Sequence, residues 1–429
     1  MTSVRELAKR VLSPKAVDWI RRKKALAVAR TRLEESLEAE RKEPGPTVDH
    51  VVGLEVRLWS TGKAVYADRL ARATRLMSPG SEARIRGAMA LARWDFSHGR
   101  SDLALERIDE IRTSDPFQAE LDLLRVDCLC HLGQAQTALT VLSRMAGRST
   151  SDHNLVLRVG HARSLLEGSR GHGSGPMAEA LNVVYNAAGF GMIRRTEVNQ
   201  PISLDNIACA VPDFEPREGM PLVTVITWVP ESSLPPDGGL SSLVNQSWRN
   251  LEILVLGETD SRDQLSRQRG SLVDDPRVVF VRCDTDSDRP WAPGTESASG
   301  SFITTHQPGS WAHPQRVEAQ ARSLLADPTS RVAVSSHIHV NSDLTPRPVG
   351  LVPRREMVGP SPHSTMVRAS GLGPEGVISA FDRVHAAYSA VSGDLAPDED
   401  VALVSSDVPL TLALSGARHA NKAIETVPD

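Results

Sequence analysis

The residues of this chain that could do chemistry stand just behind short apolar, β-branched runs. Glu258 and Asp260 follow Leu251-Glu252-Ile253-Leu254-Val255-Leu256, and Glu231 follows Leu222-Val223-Thr224-Val225-Ile226. The run Ser301-Phe302-Ile303-Thr304 leads into Thr305-His306-Gln307-Pro308-Gly309-Ser310, which holds an imidazole and no carboxylate. Carboxylates placed this way accept hydrogen bonds, hold hard cations or take a proton. A lone imidazole without carboxylates is a weak site for Mg²⁺, and such a histidine is more often simply hydrogen-bonded. Farther on, Asp382 sits between Phe381 and Arg383, and Arg347, Arg354 and Arg355 offer basic groups suited to phosphates or to solvent. The cysteines Cys128, Cys130, Cys209 and Cys283 lack metal-ligand spacing and read as reduced, buried thiols of a cytoplasmic protein.

The elements that must position these residues alternate. Strands are predicted at 222–226, 251–256, 278–281 and 301–305, with an amphipathic helix carrying Leu240, Leu243 and Val244 between the first two. Trp311-Ala312-His313-Pro314-Gln315-Arg316 is expected to start a further helix. Strand and helix alternating at this spacing predict a mostly parallel, doubly wound sheet. Ligands of such sheets bind at the carboxyl ends of the strands, where the polar residues above are found.

Five segments in order, LVTVI, SSLVNQSWRNLEILVL, DPRVVFV, GSFIT and WAHPQRVEAQARSLLADP, resemble the nucleotide-sugar half of family 2 glycosyltransferases. The resemblance covers about 170 residues, from Pro221 to Gly393. It implies an α/β, glycosyltransferase A-like (nucleotide-diphospho-sugar transferase) fold and sugar transfer from a nucleotide donor. It also implies three acidic positions, and each is altered. The donor-binding aspartate pair falls on Gly257 and Glu258, leaving Glu231, Glu258 and Asp260 as candidates to hold base or ribose. The Asp-x-Asp metal motif falls on Gln307 and Gly309, with a frequent third acid at Ser310. The general-base acids fall on Phe381 and Arg383, with Asp382 as a substitute. The resemblance therefore implies no metal site and no Mg or Mn cofactor. It implies a weakly active or inactive scaffold or regulator of cell-surface glycan assembly. The alternatives are an active, metal-independent transferase and a protein- or glycan-binding module without nucleotide.

The rest of the chain reads as support. From residue 51 to 190 the pattern is helical and repeats: Ser97-His98-Gly99-Arg100 with Ala104 and Leu105 is echoed by His131-Leu132-Gly133-Gln134 with Ala138 and Leu139, a step of 34. That period resembles tetratricopeptide repeats, whose helix pairs bury their apolar faces only against neighbours. A protein partner is expected on this array. Residues 1–50 form a charged segment with Arg21-Arg22-Lys23-Lys24 followed by Glu34, Glu35 and Glu38. A solvated helix face explains it, and contact with an anionic membrane surface is compatible but not required. Residues 191–220 read as a linker, 221–415 as the sheet domain and 416–429 as a tail. A net charge of -4 gives no reason to expect nucleic acid. Met1-Thr2-Ser3-Val4-Arg5 does not open a leader peptide and no apolar stretch reaches membrane-span length. The expected place is the cytoplasm, with the inner membrane face as a peripheral option.

Overall fold

The computed structural model describes residues 47–111, 117–146, 153–168, 175–197, 199–209, 219–229, 237–257, 274–283, 289, 291–346, 359–389 and 401–414. The charged segment 1–46, Glu231, Glu258, Asp260, Arg347, Arg354, Arg355 and residues 416–429 lie outside them.

Among the described residues, eight helices come first: α1 (Val48–Thr61), α2 (Ala64–Leu76), α3 (Glu82–Ser97), α4 (Ser101–Glu110), α5 (Gln118–His131), α6 (Ala135–Ala146), α7 (His153–Gly168) and α8 (Gly175–Ala187). The turns α3–α4 and α5–α6 pivot on Gly99 and Gly133, at φ 74° and 72°, a conformation costly for any residue with a Cβ. The 34-residue step in sequence is therefore a repeated helix–glycine–helix unit. Successive apolar groups fill the array in order. Val51, Leu58, Leu70 and Trp94 form the first, Met89, Ala104 and Leu121 the next, then Val126, Ala138, Leu142 and Ala162. Each unit buries its apolar face on its neighbour, as a stacked repeat requires.

The last pair behaves differently. Leu157 of α7 and Met177, Leu181 and Tyr185 of α8 are buried with residues of the sheet, including Val223, Val225 and Leu251. Between them lies a short antiparallel pair, β1 (Ile193–Arg195) with β2 (Ile207–Cys209).

The main sheet contains β3 (Val223–Trp228), β4 (Leu251–Gly257), β5 (Val278–Arg282), β6 (Phe302–Thr305), β7 (Trp311–Ala312), β8 (Val332–Val340), β9 (Gly359–Arg368) and β10 (Val401–Leu414). Its order is β5-β4-β3-β6-β9-β8-β10-β7. The pairs β3–β4, β4–β5, β3–β6 and β8–β10 are parallel. Strand β9 runs antiparallel to both β6 and β8, so β8 and β10 point the same way as β3. All six parallel strands thus end at one edge. The chain has the α/β, glycosyltransferase A-like architecture, a mostly parallel sheet behind an all-helical region.

Helices α9 (Asp237–Val244), α10 (Ala292–Ser297), α11 (Arg316–Ala326) and α12 (Pro374–Ser389) cover the sheet. Val317, Ala321 and Leu324 of α11 and Leu240 and Leu243 of α9 pack with Val223, Val225 and Phe302. Val377, Ala380, Phe381 and Val384 of α12 pack with Ile226, Leu254 and Ile303. Both faces of β3 are buried, which explains why only Thr224 and Thr227 interrupt its apolar residues. Two expectations need correction. Trp311-Ala312 is not a helix start but strand β7, paired with Thr411 and Leu412 of β10. The helix begins at Arg316, and Pro314 keeps His313, the residue before it, out of the helical conformation. All four cysteines are free thiols, but only Cys128 and Cys130 are buried, while Cys209 and Cys283 are half-buried.

Candidate functional site at the carboxyl ends of the strands

Strand β6 ends in a tight turn. Ser310 N–H donates to the Gln307 carbonyl at 3.2 Å, closing Gln307-Pro308-Gly309-Ser310. Pro308 presets the second position, and Gly309 supplies the positive φ of 77° at the third, the composition of a type II turn. His306, Gln307 and Ser310 are all buried, at 1%, 5% and 0% exposure. The positions of the Asp-x-Asp motif therefore lie inside the molecule and carry an amide, a glycine and a hydroxyl.

His306 is fixed from both ends. Its backbone N–H donates to the Ile226 carbonyl at 2.8 Å, extending the β3–β6 pairing. Its Nε2 lies 2.9 Å from the Ser310 carbonyl, which can only accept, so Nε2 carries the proton. Nδ1 is then a buried lone pair with no partner. Burial first, and the Arg316 guanidinium second, bring the imidazole down to about 3, so it is neutral at physiological pH.

Arg316 opens α11 and has 0% exposure. Its Nη1 donates to the Thr305 carbonyl at 3.2 Å. Its Nε and Nη2 are buried and have no acceptor. Burial lowers the group to about 10, which leaves the guanidinium charged at neutral pH. One turn along the helix, Gln320 Nε2 donates to the carbonyls of Ala333 and Ser364 at 3.2 and 2.6 Å, while its Oε1 is unpartnered. Ser310 Oγ and Thr227 Oγ1, at the ends of the β6 turn and β3, are buried without partners too.

Strand β3 ends at Trp228, whose ring lies 6.3 Å from that of Trp291 before α10, and both are buried. His306 and Pro308, at the end of β6, are buried as well. Between the turn and α11, His313 donates from Nε2 to the Gly191 carbonyl at 2.9 Å and accepts from Gln315 N–H at Nδ1, 3.1 Å. It packs 4.7 Å from the Tyr185 ring, tying this corner to α8. Burial holds it neutral, at about 4.

The sequence-derived residues separate in space. Gln307, Gly309 and Ser310 share the buried turn. Phe381 is core, at 1% exposure, and Arg383 is exposed. Asp382 pairs with Arg289 at 2.9 Å. Glu231, Glu258 and Asp260 fall outside the described residues. A divalent cation of the glycosyltransferase type wants several carboxylate oxygens and waters. The turn offers no carboxylate, and the guanidinium beside His306 would repel the ion, so these residues do not fit a divalent metal. Among the described residues, no group of three or more His, Cys, Asp or Glu could hold a metal ion. Arg316 and Gln320 were not legible as site residues, since in the sequence they are one polar stripe of an amphipathic helix.

No family model matches the sequence, and no curated relative was found. Among solved structures, the chain is similar to S. aureus TarS 1-349 in complex with UDP-GlcNAc. The identity is 14% over 47% of this chain, with a TM-score of 0.33. The match spans 61% of that structure's length. A likeness this distant adds nothing to what strand order and direction already give.

Proposed function

We propose that this chain is a glycosyltransferase-like protein that no longer performs metal-dependent sugar transfer and serves cell-surface glycan assembly as a scaffold or regulator. The observation that carries the reading is the β6 turn. Where a donor's metal would be held, the chain buries a neutral histidine, an amide and a guanidinium. A fold kept while its reaction centre is replaced points to use of the surface, since fold and function are separable. The helical array, of a tetratricopeptide-like period, is the surface proposed to engage a protein partner.

The test is a turnover assay of the full chain with UDP-, GDP- and CDP-sugars, with and without Mn²⁺. Neither hydrolysis nor transfer is expected, and Mn²⁺ has no effect on any binding seen. Release of nucleotide above a heat-treated control would overturn the reading.

A further inference from the structure

The structure assigns to Arg316 an oxyanion site of the phosphate class, built from the guanidinium and the turn that follows β6. Nε–H and Nη2–H form one edge of the guanidinium, the edge whose spacing matches two oxygens of a phosphate or carboxylate. In Arg316 it is this edge that lacks an acceptor, while Nη1 is used on the Thr305 carbonyl. A guanidinium with 0% exposure cannot draw on bulk water, and leaving such a charge unpaired is strongly unfavourable. A cation kept there is therefore kept for an anion.

The neighbouring groups suit the same ligand. Ser310 Oγ is a buried hydroxyl with no partner and can donate. His306 Nδ1 is a buried lone pair, able to accept a hydrogen bond from the hydroxyl of a monoprotonated phosphate. His306 feels the Arg316 charge, and its Nε2 is spent on the Ser310 carbonyl, so the three residues belong to one corner. That corner is the carboxyl end of a strand next to the sheet's first strand, β3, where α/β sheets bind ligands. The oxyanion is either free orthophosphate or the diphosphate of a nucleotide. The second source rests on the glycosyltransferase-like reading above, while the first does not.

The experiment uses the full chain dialysed into phosphate-free buffer with EDTA. It is titrated by thermal shift and calorimetry with orthophosphate, pyrophosphate and UDP, with sodium chloride as the ionic-strength control. A saturable rise in melting temperature is expected with at least one of the three oxyanions and not with chloride. Arg316→Lys keeps the charge but loses the two-donor edge, so its affinity should fall by about tenfold or more. Ser310→Ala should weaken binding less, with the fold intact. Tight UDP binding identifies a nucleoside diphosphate as the ligand, and orthophosphate binding without UDP binding identifies the free ion. Either supports the site, and neither depends on whether sugar is turned over. No response to any oxyanion, or an equal response from wild type and Arg316→Lys, would sink the proposal.

Discussion

Two buried arginines in this chain meet the same demand in opposite ways. In the helical array, Arg158 on α7 is 2% exposed and turns its Nε and Nη2 edge onto Asp127 of α5, with both bonds at 2.8 Å. At the strand ends, Arg316 is 0% exposed and presents the same edge to no protein acceptor. The first pair is complete within the fold and serves to join two helices. The second is half of a pair. The chain can supply a carboxylate to a buried guanidinium when the purpose is structural, so the lack of one at Arg316 reads as function rather than oversight.

That contrast can be broken in several places. The largest effect is expected from Asp127→Asn, which leaves Arg158 buried and uncompensated and should cost about 3 kcal/mol. Urea unfolding followed by circular dichroism would measure it, and a loss below about 0.5 kcal/mol would mean the array pair is no anchor. Arg316→Met should do the reverse in phosphate-free buffer, raising stability by up to about 3 kcal/mol, because it removes a charge that the protein alone leaves unpaired. In saturating orthophosphate the order should invert, with wild type the more stable.

Acid sharpens the comparison further. His161, His306 and His313 are held neutral by burial at about 4, about 3 and about 4, against an ordinary value near 6.5. As pH falls below 6.5 the unfolded chain takes up these protons while the folded chain does not. Stability should drop by about 1.4 kcal/mol per pH unit for each histidine, levelling off below the folded values. Melting temperatures between pH 7 and 4 would show it, and a flat profile would contradict the buried, neutral assignment. The smallest effect is expected in Arg316→Met, whose slope should flatten slightly sooner because His306 no longer faces the guanidinium.

How much of this could be read beforehand depends on what each residue's neighbours are. The strands were legible because β3, β4 and β6 are buried on both faces and are built mostly of apolar and β-branched residues. The helix–glycine–helix step was legible because Gly99 and Gly133 need a backbone that other residues avoid. The closing of the β6 turn was half legible: Pro308-Gly309 announces a turn, but not that Gln307 and Ser310 face inward. Trp311 was misread because its neighbour in space, Leu412, lies a hundred residues away. Arg316 was invisible for a related reason. An arginine one turn before Gln320 on an amphipathic helix looks like a solvated stripe, and only the packing of β6, β8 and β9 over it makes the stripe interior.

The shared core of α7, α8 and the sheet bears on how this chain could be divided. Leu157, Met177 and Tyr185 complete the same apolar interior as Val223 and Leu251, and His313 reaches back to Gly191. A cut at residue 190 passes through that interior and would leave the sheet with an uncovered wall. The folding unit of the sheet therefore takes in the final helix pair, α7 and α8. The earlier repeats bury their apolar faces on one another and on α7, through Ala162 and the Arg158–Asp127 pair, so they are a part that evolution could lengthen or shorten only by whole units.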